Sequence, residues 1–340
     1  MSNIFVGFDG FTDHISQAVD QRESATLYTP IPTLRAFGER IAEASGKSGN
    51  IELVLKNTQI GGNAPLLAQG LFPFHRVSFA GLIGYPQAIE PLFAFFAEQC
   101  DSCYPLGPSG ETDAIEFEDG KLFLGKQRPL LELHLDQIVS NIDFVDALNR
   151  CDLFASVNWT MLPIMNSLWR YIAHTIVAQL TTKKRWMFVD LADPAKRTDH
   201  DILEALNILK TLQTGFHVVL GLNHAEALRV GQLLGTDANP SEIRRRANLS
   251  QVVIHSPTEA RAANREEECV VKVDFCKKPV IQTGAGDTFN AGYCHGLVSG
   301  WNLAQTLQNG VLLASRYVHT GLIISQSGGK YLQPMLRLRE

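Results

Sequence analysis

Cysteine is scarce, with six in 340 residues. That is too sparse for a disulfide scaffold and predicts a protein of a reducing compartment, a cytoplasmic one. A surplus of positive charge is missing too. Thirty Lys and Arg stand against 35 Asp and Glu, for a formal net charge of −5 and a sequence pI near 6.1. No nucleic acid and no membrane surface is therefore expected as a partner. The first residues carry no basic cluster, and Asp9 and Asp13 interrupt the apolar run, so no targeting segment is expected. The longest uncharged stretch, residues 288–315, contains Asn290, His295, Asn302, Gln305, Gln308 and Asn309. It is too polar for a bilayer span and is expected to form buried helices. Internal repeats, low-complexity tracts and the phosphate-loop sequence G-x-x-x-x-G-K-[ST] are all absent. With 45% hydrophobic and 19% charged residues, the chain is not a disordered tail, a collagen or a coiled coil.

What is present is alternation. Residues 4–8 form a short apolar run ending in Gly and Asp, as a buried parallel strand does. Leu34, Phe37, Ile41 and Ala44 are spaced for a helix over 33–45, with Gly46 as its stop. Residues 51–60 and 76–81 read as strands, and 91–99 as a helix. Further on, strands at 153–157, 186–191, 218–222 and 252–255 alternate with helices at 165–180, 201–212 and 225–234. Such alternation implies a parallel sheet with helices on both faces. Pro, Gly and charge are evenly spread, so the whole chain, 1–340, is expected to be a single domain.

One hairpin stands out at 114–125. Asp119-Gly120 suits a two-residue turn, pairing Glu118 with Lys121, Phe117 with Leu122 and Ile115 with Leu124. One face is then apolar and must be covered, because a lone hairpin is marginal in water. Pairing with a segment near 21–29 is expected.

The stretch Thr283-Gly284-Ala285-Gly286-Asp287-Thr288-Phe289 carries the chemistry. Glycines let backbone turn sharply and approach a ligand, and free amides at a helix N-terminus attract phosphate. An Asp at that point can accept a proton from an attacking hydroxyl. The plain alternatives are a turn, or an Asp favoured in a first helical turn by the helix dipole. A dinucleotide loop is disfavoured, since Phe289 replaces the last glycine of G-x-G-x-x-G and the stretch lies near the C-terminus.

This stretch resembles the C-terminal signature of the ribokinase (PfkB) carbohydrate kinases. The resemblance implies a ribokinase-like three-layer α/β fold with a mainly parallel central sheet and a small β lid, the lid built from about 14–32 and 108–130. It also implies an ATP-dependent kinase acting on a sugar hydroxyl, or on a nucleoside in the alternative. Asp287 would be the catalytic base, and the amides of Gly284, Ala285 and Gly286 the anion hole. Asn223-His224-Ala225-Glu226 matches the family's N-x-x-E motif, implying that Asn223 and Glu226 position magnesium through water. Asn223 is equally a good helix cap that Glu226 completes. Gly61-Gly62-Asn63 resembles the double-glycine element that contacts sugar hydroxyls. Asp13 resembles the N-terminal Asp that receives those hydroxyls, with Asp9 as competitor. Residues 190–197 resemble the family's D-x-N-x-R segment without its Asn; a solvated loop is the alternative. A homodimer through the lid is expected as well.

The chain also departs from the family. Ile281 stands where an Asp often helps to hold a monovalent cation, so potassium activation is doubtful. Leu66 replaces the later Asn of the double-glycine element. The nucleotide segment T-x-G-x-x-G has become His255-Ser256-Pro257-Thr258-Glu259-Ala260, so ATP would meet His255 and Ser256 in place of glycines. A diverged member that binds a sugar or a partner without efficient catalysis is the rival reading. Cys100-x-x-Cys103 is a lone pair without further zinc ligands and reads as structural. Trp159 and Trp169 read as core, and His134 and His174 as surface or satisfied core residues.

Overall fold

A computed structural model describes residues 1–322 except Thr182 and Gln282. Strand β1 (Asn3–Phe8) runs into the long β2 (Phe11–Arg22). Then come β3 (Tyr28–Pro30), helix α1 (Leu34–Glu43), β4 (Leu53–Gly61), α2 (Asn63–Leu71) and β5 (Arg76–Gly81). A short ribbon, β6 (Gly84–Tyr85) with β7 (Ala88–Ile89), precedes α3 (Ala94–Gln99) and β8 (Ser102–Pro105). The hairpin is β9 (Gly110–Phe117) and β10 (Gly120–Lys126). Helices α4 (Arg128–Leu131), α5 (Leu135–Asn141) and α6 (Phe144–Arg150) lead to β11 (Leu153–Ser156). Next are α7 (Met165–Tyr171), β12 (Arg185–Asp190), α8 (Asp199–Leu212), β13 (Phe216–Asn223), α9 (His224–Leu234) and α10 (Pro240–Ala247). The described chain closes with β14 (Gln251–His255), β15 (Glu259–Ala263), β16 (Glu268–Lys272), α11 (Ala285–Val298) and α12 (Leu303–Thr320).

Among the described residues, nine strands form the large sheet in the order β16-β15-β14-β13-β12-β11-β1-β5-β8. The seven from β14 to β8 are parallel, while β15 and β16 are antiparallel. Successive side chains of a strand point to opposite faces. Phe5, Phe154, Met187 and Val218 therefore join one buried cluster with α6, α7 and α8, while Val6, Ala155, Phe188 and Val219 join the other with α2, α11 and α12. Both faces are covered, which is why these strands read as continuous apolar runs. The uncharged stretch 288–315 forms most of α11 and α12, as buried helices. Trp159 and Trp169 are fully buried. The helix expected over 165–180 ends as α7 at Tyr171 and continues as a π turn and a 3₁₀ turn. The β-branched run Thr175-Ile176-Val177 suits a regular helix poorly.

The small sheet runs β10-β9-β2-β3, with β4 on the other side of β2. Its strands come from three parts of the chain, 11–30, 53–61 and 110–126. The hairpin register differs from the expected one. Phe117 pairs with Gly120, Glu116 with Lys121 and Ile115 with Leu122, so the turn is Glu118-Asp119. Asp119 is recruited elsewhere: its Oδ1 accepts from the Leu34 amide at 2.8 Å, at the start of α1. The expected partner segment is also corrected. Residues Gly110–Ile115 pair in parallel with Phe11–Ser16 of β2, whereas Gln21 and Arg22 pair with Thr29 and Tyr28. Ile115, Phe117 and Leu122 of the apolar face are covered within the chain, and Leu124 is exposed. Phe37 of α1 packs with Ala18, Ile31 and Ile115, and its ring lies 5.2 Å from that of Phe117.

Candidate active site

Parallel strands end on one edge, and open α/β sheets hold their ligands there. Here that edge gathers Asp9 after β1, Asn158 after β11, Asp190 ending β12, Asn223 ending β13 and His255 ending β14. The N-termini of α2, α9 and α11 face the same edge.

Helix α11 begins at Gly284, its N-cap, which has φ +86°. That conformation is costly for any residue with a Cβ. Tyr317 of α12 pins the preceding turn, donating to the Thr283 carbonyl at 2.9 Å. Among the described residues no side chain caps this helix, and the first amides of a helix have no intrahelical partner. They are left to face an anion. Gly286 does not have positive φ, and a Cβ there would make ordinary contact with His255 at 3.4 Å. The conformational requirement therefore falls on Gly284.

Asp287 is the third residue of α11. Burial pushes its carboxyl up to about 7, helped by the charges of Asp9 and Glu226 and opposed by a hydrogen bond from Asn63. Asn63 Nδ2 donates to Asp287 Oδ1 at 2.8 Å. One turn further on, Asn290 Nδ2 donates to Asp190 Oδ2 at 2.6 Å. Asp190 is buried, and its carboxyl is held well above the usual range by burial first and then by Glu226 and Asp287. A solvated loop is thus excluded at Asp190. Arg197, at the other end of that segment, lies over the Trp159 ring at 4.3 Å. Sequence reasoning missed Asn158, Asn290 and Tyr317. Asn290 left a trace, three residues after Asp287 on the same side of a helix.

Asn223 and Glu226 form the reciprocal cap weighed from the sequence. Asn223 Oδ1 accepts from the Glu226 amide, and Glu226 Oε2 from the Asn223 amide, both at 2.9 Å. Glu226 Oε1 also accepts from the Asp193 amide at 2.9 Å. The motif is therefore a structural cap at least, and its carboxylate lies beside Asp190 and Asp287.

The double glycine serves two aspartates. A Cβ on Gly61 would come within 2.4 Å of Asp13 Oδ2, and one on Gly62, at φ +95°, within 3.0 Å of Asp9 Oδ2. Asp9 is fully buried. Its Oδ2 accepts from the Asn63 amide at 2.9 Å and from Asn158 Nδ2 at 2.5 Å, and its Oδ1 from the Ala64 amide at 2.7 Å. Asp9 therefore holds the start of α2, with three donors already on its carboxylate. Asp13 is the other acidic candidate at this end; burial raises its carboxyl, and Thr112 hydrogen-bonds to it.

A cavity of about 710 Å³ lies beside the α11 N-terminus. His255, Ser256, Asn223, Ala285 and Gly286 line its polar end, and Val273, Phe275, Phe289, Val311 and Val318 its apolar walls. His255 packs on Phe289 with ring centroids 4.8 Å apart, and burial pushes its imidazole down to about 4, so it is neutral near pH 7. Among the described residues no cluster of three His, Cys, Asp or Glu side chains forms a preformed metal cage, and no helix is long and apolar enough to cross a membrane.

Known proteins of similar sequence and shape bear on the fold and the family. A family model described as prokaryotic ketohexokinase matches residues 1–327. A ketohexokinase from Haloferax volcanii is 27% identical over 332 residues, covering 94% of this chain and 87% of that protein. Among solved structures, a carbohydrate kinase from Agrobacterium tumefaciens superposes with a TM-score of 0.66 at 18% identity, over 97% of this chain and 96% of that one. An adenosine kinase from Sinorhizobium meliloti gives 0.64 at 18%, over 97% and 98%. A ribokinase from Thermotoga maritima gives 0.62 at 14%, over 96% and 94%. These likenesses bear out the ribokinase-like fold and make the protein a carbohydrate kinase, a phosphotransferase with an alcohol group as acceptor. By the match over nearly its whole length, the chain belongs to the prokaryotic ketohexokinase family.

Proposed function

We propose that this protein transfers the γ-phosphoryl group of ATP to a hydroxyl of a ketohexose or a related sugar, with Asp287 as general base. The observation that carries the reading is Asp287 itself: a buried carboxyl in the first turn of α11, directly after Ala285 and Gly286, which line the cavity. In this reading ATP occupies the cavity near Asn223, His255 and Ser256, and the sugar lies toward Asp13, Gly61 and the small sheet. Asp287 takes the hydroxyl proton while the oxygen attacks the γ-phosphorus and the bond to the leaving ADP oxygen breaks. The amides of Gly284, Ala285 and Gly286 face the charge that develops on the transferred group.

Magnesium fits this site as an ion held by phosphate oxygens and water, because the donors nearby are hard carboxylates, Asp190 and Glu226. When bound it neutralises phosphate charge. Glu226 would orient its water shell. The Ile281 side chain offers no oxygen, so potassium is not expected to activate. Leu53, Leu55, Phe123 and Leu124 remain exposed on the small sheet, which supports a homodimer through the lid. Light scattering that returned a concentration-independent monomer would remove the dimer. The free cysteines support a cytoplasmic location.

The test is ADP release with ATP and magnesium across ketohexoses, aldoses and nucleosides, in sodium and in potassium at equal ionic strength. Phosphorus NMR of the product would locate the ester. A ketohexose is expected to be the preferred acceptor, at similar rates in both salts. Preference for a nucleoside would make the protein a nucleoside kinase. Sugar binding without turnover of any acceptor would make it a binding protein.

A further inference from the structure

A general base needs a defined oxygen aimed at its proton, and a carboxylate on a single Cβ rotates about a broad terminal torsion. Helix α11 places the Asp287 backbone, but it does not set the plane of the carboxyl group. Among the described residues, one side chain hydrogen-bonds to that group: Asn63, through Nδ2 to Oδ1 at 2.8 Å. Asn63 lies 224 residues away in sequence, so the contact comes from a different part of the fold.

Asn63 is itself held. Its amide and that of Ala64 both donate to the Asp9 carboxylate, which Asn158 Nδ2 grips from the end of β11. Gly62, at φ +95°, lets the chain turn against Asp9 where a Cβ would crowd it at 3.0 Å. The result is a continuous chain of hydrogen bonds, Asn158 to Asp9 to the Asn63 backbone, and then from the Asn63 side chain to Asp287. It joins the ends of β1 and β11 to the starts of α2 and α11.

We propose that Asn63 is a positioning residue for the phosphoryl transfer. By holding Oδ1 of Asp287 it leaves Oδ2 to meet the acceptor hydroxyl, and buried Asp9 anchors Asn63 for that purpose. The inference rests on the reading of Asp287 as the base. It also departs from the expectation that Asn63 and Asp9 serve as sugar contacts. A sugar contact acts on substrate affinity; an orienting contact acts on turnover.

The experiment is a double-mutant cycle in the full-length protein with Asn63→Ala, Asp287→Asn and the combination, measuring kcat and KM for the sugar at saturating ATP. Asn63→Ala keeps the backbone amide that Asp9 accepts and puts a good helix former in the first turn of α2. A thermal melt verifies the fold, and Asn63→Ser, too short to reach Asp287, is the second variant. Misplacing a catalytic group by about 1 Å costs on the order of 10²-fold. We expect kcat to fall roughly 10- to 100-fold in both Asn63 variants, in the range of that misplacement cost, with the sugar KM little changed. In the double variant, kcat is expected to match Asp287→Asn alone, because no base is left to orient. A raised KM with unchanged kcat, or losses that multiply in the double variant, would overturn the positioning role and return Asn63 to the sugar. If Asp287→Asn alone kept normal turnover, the reading of the base would fall instead, so the two failures are distinguishable.

Discussion

At the scale of single residues, Asp287 carries the sharpest expectations. Asp287→Asn keeps the shape and removes the proton acceptor. A general base contributes about 10²–10⁴-fold, so kcat is expected to drop by that order while ATP binding persists, which equilibrium titration would show. With the carboxyl pushed up to about 7, the base is protonated and inactive below that pH. The rate is therefore expected to rise as pH increases through about 7, and a profile flat from pH 5 to 8 would contradict the assignment. Gly284 gives a second test. Gly284→Ala forces a Cβ into φ +86°, at about 1–2 kcal/mol for left-handed backbone. A lost oxyanion-type donor costs about 10²–10³-fold in rate. Gly284→Ala should lower both the urea midpoint and kcat, whereas Gly286→Ala should fold normally and lose rate only through its Cβ beside the phosphate.

Among the elements, the cap of α9 is where two readings of one motif meet. Both oxygens of Glu226 accept backbone hydrogens. Glu226→Gln sets an NH₂ against one of those donors, so it should cost about 1 kcal/mol, the usual worth of a cap. If Glu226 also orients a metal's water shell, the magnesium concentration for half-maximal rate should rise while the sugar KM stays put. Equal stability loss with an unchanged magnesium requirement would leave the motif as a cap alone. The N-x-x-E pattern was legible in the sequence because capping is local. The hairpin register was not. Asp119-Gly120 is a strong local turn signal, yet Asp119 is drawn to the start of α1 and the turn moves back by one residue. Likewise, the helix covering Ile115 could be seen as amphipathic, but its target across the small sheet could not.

For the whole molecule, buried titratable groups set opposing pH terms. His75 Nε2 and His295 Nδ1 lie 2.8 Å apart, and burial pushes both imidazoles down to about 4. Their folded values lie below the unfolded value of 6.5, so the stability they confer is fully present above 6.5 and is lost as pH falls toward 4. Asp9, raised to about 6, and Asp287, raised to about 7, act in the other sense. Their contribution is fully present below 3.8 and is lost as pH rises through those values. The terms offset one another between pH 4 and 7. Urea denaturation across that range should therefore tilt in opposite directions in two variants. Relative to the parent, His295→Phe should gain stability on acidification, and Asp287→Asn should lose it. Parallel curves for all three proteins would show that these groups do not govern the dependence.

The sequence by itself determined the alternating α/β architecture, the buried strands, the two buried helices of the uncharged stretch 288–315 and the motif around Asp287. All of these rest on local periodicity or on residues adjacent in the chain, where side-chain spacing and backbone freedom act directly. Tertiary structure alone decided that Asp9 is buried among three donors, since Asp9 and Asp13 both follow the first strand. It also decided that Asp190 is buried against Asn290, that β4 joins the small sheet, and that Asn63 reaches Asp287 across 224 positions. Those choices depend on which segments the closing sheet brings together, and hydrogen bonds between distant residues leave no period in the chain from which to read them.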